Sequence, residues 1–319
     1  MEPVVIGLDV GGTFLKGGLV DRRGRILRRL RRPAEALRGR RRSLENVFSI
    51  LRELETGPFF GEIKAIGIGA PGLIDLRRGI VSTSPNFPEW RNLPLRRLLA
   101  AKFTPPVFLE NDANAAALGE KWMGAARGLK DFCLITLGTG VGGGLVLGGE
   151  VWHGADGMAG EIGHMTIDPA GPLCLCGNRG CLEMYASANA LRRMVLEARS
   201  AGRTSRFFHR VDAGPLDGET IHRGARDGDR LCREAFRRMG SALGIGISNL
   251  VNLLNVEGVI LGGALAAAWR FFIPSVRNEV KSRAFLRPAR RARIVCSAVG
   301  EDAGLLGSAF LAWHSLGSI

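Results

Sequence analysis

One pattern constrains this chain more than any other: a buried strand that stops at a glycine turn and returns as a second strand. It occurs twice. The first copy is a strand over residues 4–9, a turn at Gly11, Gly12 and Thr13, and a return strand over 16–20. The second, about 130 residues later, is a strand over 132–137, a turn at Gly138, Thr139 and Gly140, and a return over 143–147. The repeat predicts a duplicated architecture. Further strands are expected at 25–30, 63–69, 107–109, 259–261 and 293–297, and helices at 43–54 (with Ser43 as N-cap), 113–122, 187–200, 229–255, 264–281 and 304–314. Strands alternating with helices over 319 residues give an α/β fold in two lobes. The last helix is expected to pack back on the first lobe.

The turns carry chemistry as well as geometry. Glycine lets main-chain N–H groups approach phosphate oxygens with no side chain in the way. Asp9, at a strand end, could hold Mg²⁺ through water, and Lys16 lies three residues past Thr13. A plain hairpin turn explains each glycine run equally well when taken alone. Two spacings fit the dinucleotide letter pattern: Gly67, Gly69, Gly72 and Gly138, Gly140, Gly143. Neither runs from strand into helix, so NAD is rejected. No GxxxxGK[ST] loop is present.

Glu110, Asn111 and Asp112 end a strand and open an Ala-rich helix. A carboxylate there could take the proton of an attacking hydroxyl, or simply cap the helix. His164, Cys174, Cys176 and Cys181 supply one imidazole and three thiols, a complete tetrahedral zinc set with no open position, which predicts structural zinc. Gly177 and Gly180 would permit the turns between the sulfurs. Glu161 and Glu183 flank that set, so a zinc ion would fix two carboxylates and an imidazole around one small space.

The stretches DVGGTFLKGGLVD (9–21), GAPG (69–72), SPN (84–86), ENDANAAALGE (110–120), LGTGVGGG (137–144), HGADGMAGEIGH (153–164), CLCGNRGCLE (174–183) and LGGAL (261–265) together resemble the ROK family of sugar kinases and related repressors, across essentially the whole chain. The resemblance implies a two-lobed, actin-like or hexokinase-type fold, a duplicated ribonuclease H-like architecture, with ATP and sugar in an interlobe cleft. The expected division is a small lobe of residues 1–110 plus about 300–319, and a large lobe of 111–299. The resemblance makes Asp112 the catalytic base. It gives Asn86, Asn111, Asp112, Glu161, His164 and Glu183 to the sugar hydroxyls, with His164 binding zinc by one ring nitrogen and facing the sugar with the other. Asp9, Gly11, Gly12, Thr13, Lys16, Gly138, Thr139 and Gly140 would surround the phosphates and Mg²⁺, and Gly262 and Gly263 the adenosine side. The implied reaction is transfer of the ATP γ-phosphoryl group to a hexose, glucose first, with N-acetylmannosamine, N-acetylglucosamine or fructose as alternative acceptors. A sugar-responsive repressor is a remote alternative, since the first phosphate loop begins at Asp9 with no expected DNA-binding segment ahead of it. A homodimer or homotetramer is the expected assembly.

Composition bounds the partners. The net charge is +14 and the pI about 10.6. Much of the excess is Arg between residues 22 and 42, where no helical stripe and no interleaved aromatic accompanies it. That reads as a basic face and not as a specific nucleic-acid site. No apolar run reaches membrane-spanning length and no signal peptide is legible, so a cytoplasmic protein with reduced cysteines is expected.

Overall fold

The computed structural model describes residues 2–57, 61–209 and 214–319. Their contacts gather into two units. The first holds residues up to Lys130, Gly144–Gly160 and Ala298–Ile319, and the second Asp131–Gly143 and Glu161–Ser297. The strand carrying Glu110 and the helix carrying Asp112 therefore share the first unit.

Seven strands lie in the first part of the chain: β1 (Val4–Val10), β2 (Phe14–Asp21), β3 (Ile26–Pro33), β4 (Ile63–Ala70), β5 (Leu73–Asp75), β6 (Ile80–Thr83) and β7 (Val107–Asn111). Five of them make a sheet in the order β3-β2-β1-β4-β7, and β5 and β6 form a separate hairpin. β1 is antiparallel to β2 and parallel to β4, and β4 is parallel to β7. Alternate residues of β1 feed opposite faces, as strand geometry requires. Val4, Ile6 and Leu8 join Val47, Ile50 and Leu54 of the helix Arg40–Thr56 in one core, whereas Val5 joins Leu305, Ala309 and Trp313 of the helix Ala303–Ser315 in another. That C-terminal helix does return to the first unit, and it lies very close to the sheet. A Cβ on Gly7 would meet the Leu305 carbonyl at 2.3 Å, and one on Gly67 the Ser308 carbonyl at 1.8 Å. These glycines are packing requirements.

β3 is an edge strand whose residues alternate between half-buried and exposed. Its arginines are largely paired: Arg32 and Arg28 with Glu53, Arg29 with Asp302 at 2.7 Å, and Arg31 stacked 3.7 Å over the Phe14 ring. Charged side chains on an edge also discourage strand-to-strand association.

The second unit is built on β8 (Phe132–Leu137), the start of β9 (Val141–Leu147), β11 (Gly258–Gly262) and β12 (Arg293–Cys296); with β10 (Glu150–Val151) the sheet order is β10-β9-β8-β11-β12. β8, β11 and β12 run parallel. The longest helix, Arg230–Leu254, is capped by Asp229, which accepts the Cys232 N–H at 3.0 Å, and ends at Asn255 in the left-handed region, φ 51°. Both ends lie where the sequence put them.

Three expectations need correction. Ser43 is not an N-cap: the helix starts at Arg40 after Gly39 at φ 94°, and the Ser43 hydroxyl donates to the Arg40 carbonyl while accepting the Trp90 indole N–H at 2.9 Å. The expected helix over 264–281 is two elements, a 3₁₀ turn Ala264–Ala268 and the α-helix Trp269–Arg283, because Gly263 at φ 84° forces a tight entry. The helices Leu95–Ala100, Gly218–Arg226 and Leu286–Arg291 and the β5–β6 hairpin were not expected. A signal existed for Gly218–Arg226, since Asp217 accepts the Thr220 N–H at 2.8 Å as an ordinary cap.

Candidate active site

The first unit brings several of the sequence-selected residues together. Asp9 stands opposite Lys16 across the β1–β2 pair, next to the turn closed by the Gly11 N–H to the Phe14 carbonyl at 3.0 Å. Burial pushes the Asp9 carboxyl up to about 6, against the pull of Lys16. Gly304, at the start of the C-terminal helix, lets the carboxylate sit there: a Cβ would meet Asp9 Cγ at 2.6 Å. A helix N-terminus favours negative charge at that place. Lys16 reaches Glu301, donating to its carboxylate at 3.1 Å and its carbonyl at 3.3 Å. The Asn86 side chain packs on Gly12, whose Cβ would lie 3.1 Å from Asn86 Cγ.

The helix Asp112–Met123 begins directly after β7. Asn111 caps it, accepting the N–H groups of Ala113 at 2.9 Å and Asn114 at 3.2 Å, and its amide donates to the Gly72 carbonyl at 3.2 Å. Asp112 is the first helical residue, and its carboxylate accepts from Ala113 N–H at 2.9 Å. Behind it, Glu110 is buried. One carboxylate oxygen accepts from Asn111 N–H at 2.9 Å and from the Asn114 amide at 3.1 Å; the other is 2.8 Å from His153 Nε2. Donating a hydrogen bond to the Glu110 carboxylate raises the His153 pKa above its ordinary value. From sequence, Glu110 belongs to the triplet considered for the base, His153 has no role, and nothing links the two.

In the second unit, His164 and the cysteines converge. One ligand atom each from His164, Cys174, Cys176 and Cys181 lies within 4.8 Å of every other. His164 Nδ1 is 3.7 Å from Cys174 Sγ, and its Nε2 is 3.9 Å from Glu161. Gly177 and Gly180 have φ of 91° and 63°, and a Cβ on Gly180 would collide with the Asp168 carbonyl at 1.6 Å. The Asn178 main-chain N–H lowers the Cys176 thiol to about 7, toward the thiolate that metals take. Three thiols and an imidazole within tetrahedral reach fit a closed zinc site. Glu183 accepts the Val141 N–H at 3.0 Å and stands where a Gly140 Cβ would be, 2.2 Å away.

Of the glycines assigned to phosphate and adenosine, Gly138 has nothing within 4 Å of an added Cβ. Gly140 and Gly263 instead admit close packing, Gly263 against the main chain of Leu137 at 2.4 Å. Thr139 borders a cavity of about 590 Å³ that Asn189, Arg192, Pro215, Leu216 and Asp217 also line. Asn189 and Arg192 come from the N-terminal part of the helix Ala188–Ser200, and no motif marks them. Among the described residues, no helix is long and apolar enough to cross a membrane.

The chain is similar to known proteins over nearly its whole length. A family model described as the ROK family matches residues 5–315. The glucokinase of Thermotoga maritima is 38% identical over 98% of this chain and 98% of that protein. A putative xylose repressor of Caldicellulosiruptor is 34% identical over 95% of this chain and 76% of that protein. Among solved structures, a ROK family glucokinase from Streptomyces griseus in complex with glucose and AMPPNP has a TM-score of 0.85 at 33% identity, covering 98% of this chain and 99% of that one.

Proposed function

Because this chain belongs to the ROK family, we propose that it phosphorylates a hexose with ATP and that glucose is its preferred acceptor. The likeness to the Streptomyces kinase carries this reading, since the glucose and ATP analogue in that complex are the two substrates assigned here.

The residue roles follow from chemistry. Asp112 accepts the proton of the attacking hydroxyl, which makes the oxygen nucleophilic as the phosphoryl group departs from ADP. Its position supports this, because Asn111 supplies the helix cap and a fixed helix start sets the direction of the carboxylate. Asn86, Asn111, Glu161, His164 and Glu183 pair with sugar hydroxyls. Main-chain N–H groups of Gly12, Thr13, Thr139 and Gly140 stabilise the phosphate oxygens, with Lys16 as an added cation, while Gly11 and Gly138, whose N–H groups close the turns on the Phe14 and Gly140 carbonyls, shape the two loops. Asp9 would hold Mg²⁺ through water, and the ion would offset phosphate charge. Gly262 and Gly263 lie on the adenosine side. Zn²⁺ held by His164, Cys174, Cys176 and Cys181 would brace the loop that carries Glu183 and fix the His164 ring. A homodimer or homotetramer is the assembly we expect, to be read by light scattering.

The test is ADP release coupled to a panel of sugars at saturating MgATP. Turnover with at least one hexose, lost in Asp112→Asn, is the expected result. Absence of sugar-dependent ADP release with every hexose would overturn the proposal.

A further inference from the structure

We infer that His153 is a positioning residue for phosphoryl transfer, holding the Asp112 segment in place through the buried carboxylate of Glu110. The inference rests on the reading of Asp112 as the base.

The argument starts from the cost of burying Glu110. A carboxylate away from water must find partners for both oxygens or be strongly disfavoured. Here the partners are chosen from two places. Asn111 N–H and the Asn114 amide, at 2.9 and 3.1 Å, belong to the start of the helix that carries Asp112. His153 Nε2, at 2.8 Å, belongs to a different segment, a loop closed on itself by the Ala159 N–H to the His153 carbonyl at 3.1 Å. One carboxylate thus ties the first helical turn to that loop.

Asn114 shows how firmly the arrangement is set. Its amide nitrogen faces Glu110, and its Oδ1 is buried with no hydrogen-bond partner among the described residues. Turning the amide over would point oxygen at carboxylate, so the orientation is fixed by Glu110. His153 keeps part of its surface exposed and supplies the partner for the remaining Glu110 oxygen. Remove the donor, and Glu110 must find another partner by moving, which moves the Asn111 N–H and the helix start with it. A displacement of about 1 Å at a reacting group is enough to cost on the order of 100-fold in rate.

The test compares two side chains of nearly equal length and volume. Gln at 153 can place an amide N–H where Nε2 stands; Met cannot donate. Asp112→Asn is run beside them. Expected for His153→Met is a fall in kcat of about 10- to 100-fold, with the KM for ATP within about twofold and a folded protein of lower melting temperature, since one buried Glu110 oxygen loses its partner. His153→Gln should recover kcat to within about threefold of wild type. If His153→Met keeps wild-type kcat while Asp112→Asn is inactive, the inference is wrong and the base assignment stands. If Asp112→Asn stays active, the base assignment itself fails. If His153→Met misfolds, or if Gln and Met behave alike with both substrates' KM raised, His153 is only structural and the inference is overturned.

Discussion

The Asn111 side chain accepts the main-chain N–H of Ala113 at 2.9 Å, so the cap of the helix Asp112–Met123 does not depend on the residue proposed as base. The cap falls on Asn111, and the base we propose is its neighbour. They can be separated by mutation. Asp112→Asn should fold with a melting temperature near wild type and still bind sugar, while kcat falls about 10²- to 10⁴-fold. Asn111→Ala should instead lose roughly 1 kcal/mol of stability, as cap removal does. Turnover of Asp112→Asn within about tenfold of wild type, measured by coupled ADP release, would reject Asp112 as the base.

Asp9 gives a pH prediction with a definite sign. Burial raises its pKa from 3.8 to about 6 in the folded protein. Between those values the native state holds a proton that the unfolded chain has released, so the stabilising contribution of Asp9 is complete below 3.8 and is lost as pH rises through about 6. At pH 7 the ionised carboxylate opposes folding by at most about 3 kcal/mol, since one pKa unit is about 1.4 kcal/mol. Asp9→Asn should therefore melt higher than wild type at pH 7, and the two curves should meet near pH 4. Its MgATP affinity should fall across the same range. A variant no more stable than wild type at pH 7 would contradict the burial argument.

Much of this was legible beforehand, and the failures are instructive. β1, the glycine turns and the helix at Asp112 follow from strong local patterns: an apolar run, residues that admit φ > 0 or close approach, and a cap. The cysteine cluster was legible because its ligand types are rare and its spacing short. Glu110 and His153 were not, because 43 residues separate them and only the fold brings them to 2.8 Å. Ser43 misled for the opposite reason. Its hydroxyl is a good cap in isolation, but the buried Trp90 indole needs an acceptor and Gly39 already provides the chain reversal. The same limit holds for Gly7 and Gly67, whose role depends on a helix some 240 to 300 residues away in the chain.

The metal prediction concerns composition and consequence together. Protein purified without a metal-affinity tag should carry about one zinc per chain by elemental analysis. Cys176→Ser should lose metal, stability and hexose affinity together, because the loop from Cys174 to Glu183 then loses its metal cross-link and keeps only hydrogen bonds, such as that from the Asn178 amide to the Thr166 hydroxyl at 2.7 Å. Chelation should mimic the mutation and added zinc reverse it. A metal-free wild-type protein with full activity would remove zinc from the account.

The basic surface should be inert toward specific DNA. Arg25 pairs with Asp21, Arg42 with Glu35, Arg41 with Glu45 and Arg29 with Asp302. The arginines stay exposed, although Asp21 itself is buried, and the pairs take cations that phosphates would otherwise engage. Any complex with duplex DNA should be weak and independent of sequence, and largely gone by roughly 200 mM salt. A sequence-specific complex that survives that salt in a gel shift would favour a regulatory role instead.

Acceptor choice turns on what surrounds C2 of the sugar. An acetamido group needs an apolar niche for its methyl, whereas a hydroxyl needs only a hydrogen-bond partner. β4 ends at Ala70 and runs into Pro71 and Gly72, and the Gly72 carbonyl accepts the Asn111 amide. Ala70 is fully buried, and a Cβ on Gly72 would strike the Thr83 carbonyl at 2.1 Å. Gly72 is therefore packed tightly against β6 on that side. Asn86, Asn111, Glu161, His164 and Glu183 are all polar partners suited to free hydroxyls, and a site built on such pairs rejects analogues that leave a buried partner unmatched. Glucose should therefore lead mannose and fructose, and exceed N-acetylglucosamine and N-acetylmannosamine by about tenfold or more in kcat/KM under one set of conditions. If either N-acetylated sugar beats glucose by tenfold, the glucose assignment is wrong, while the hexose kinase reading still stands.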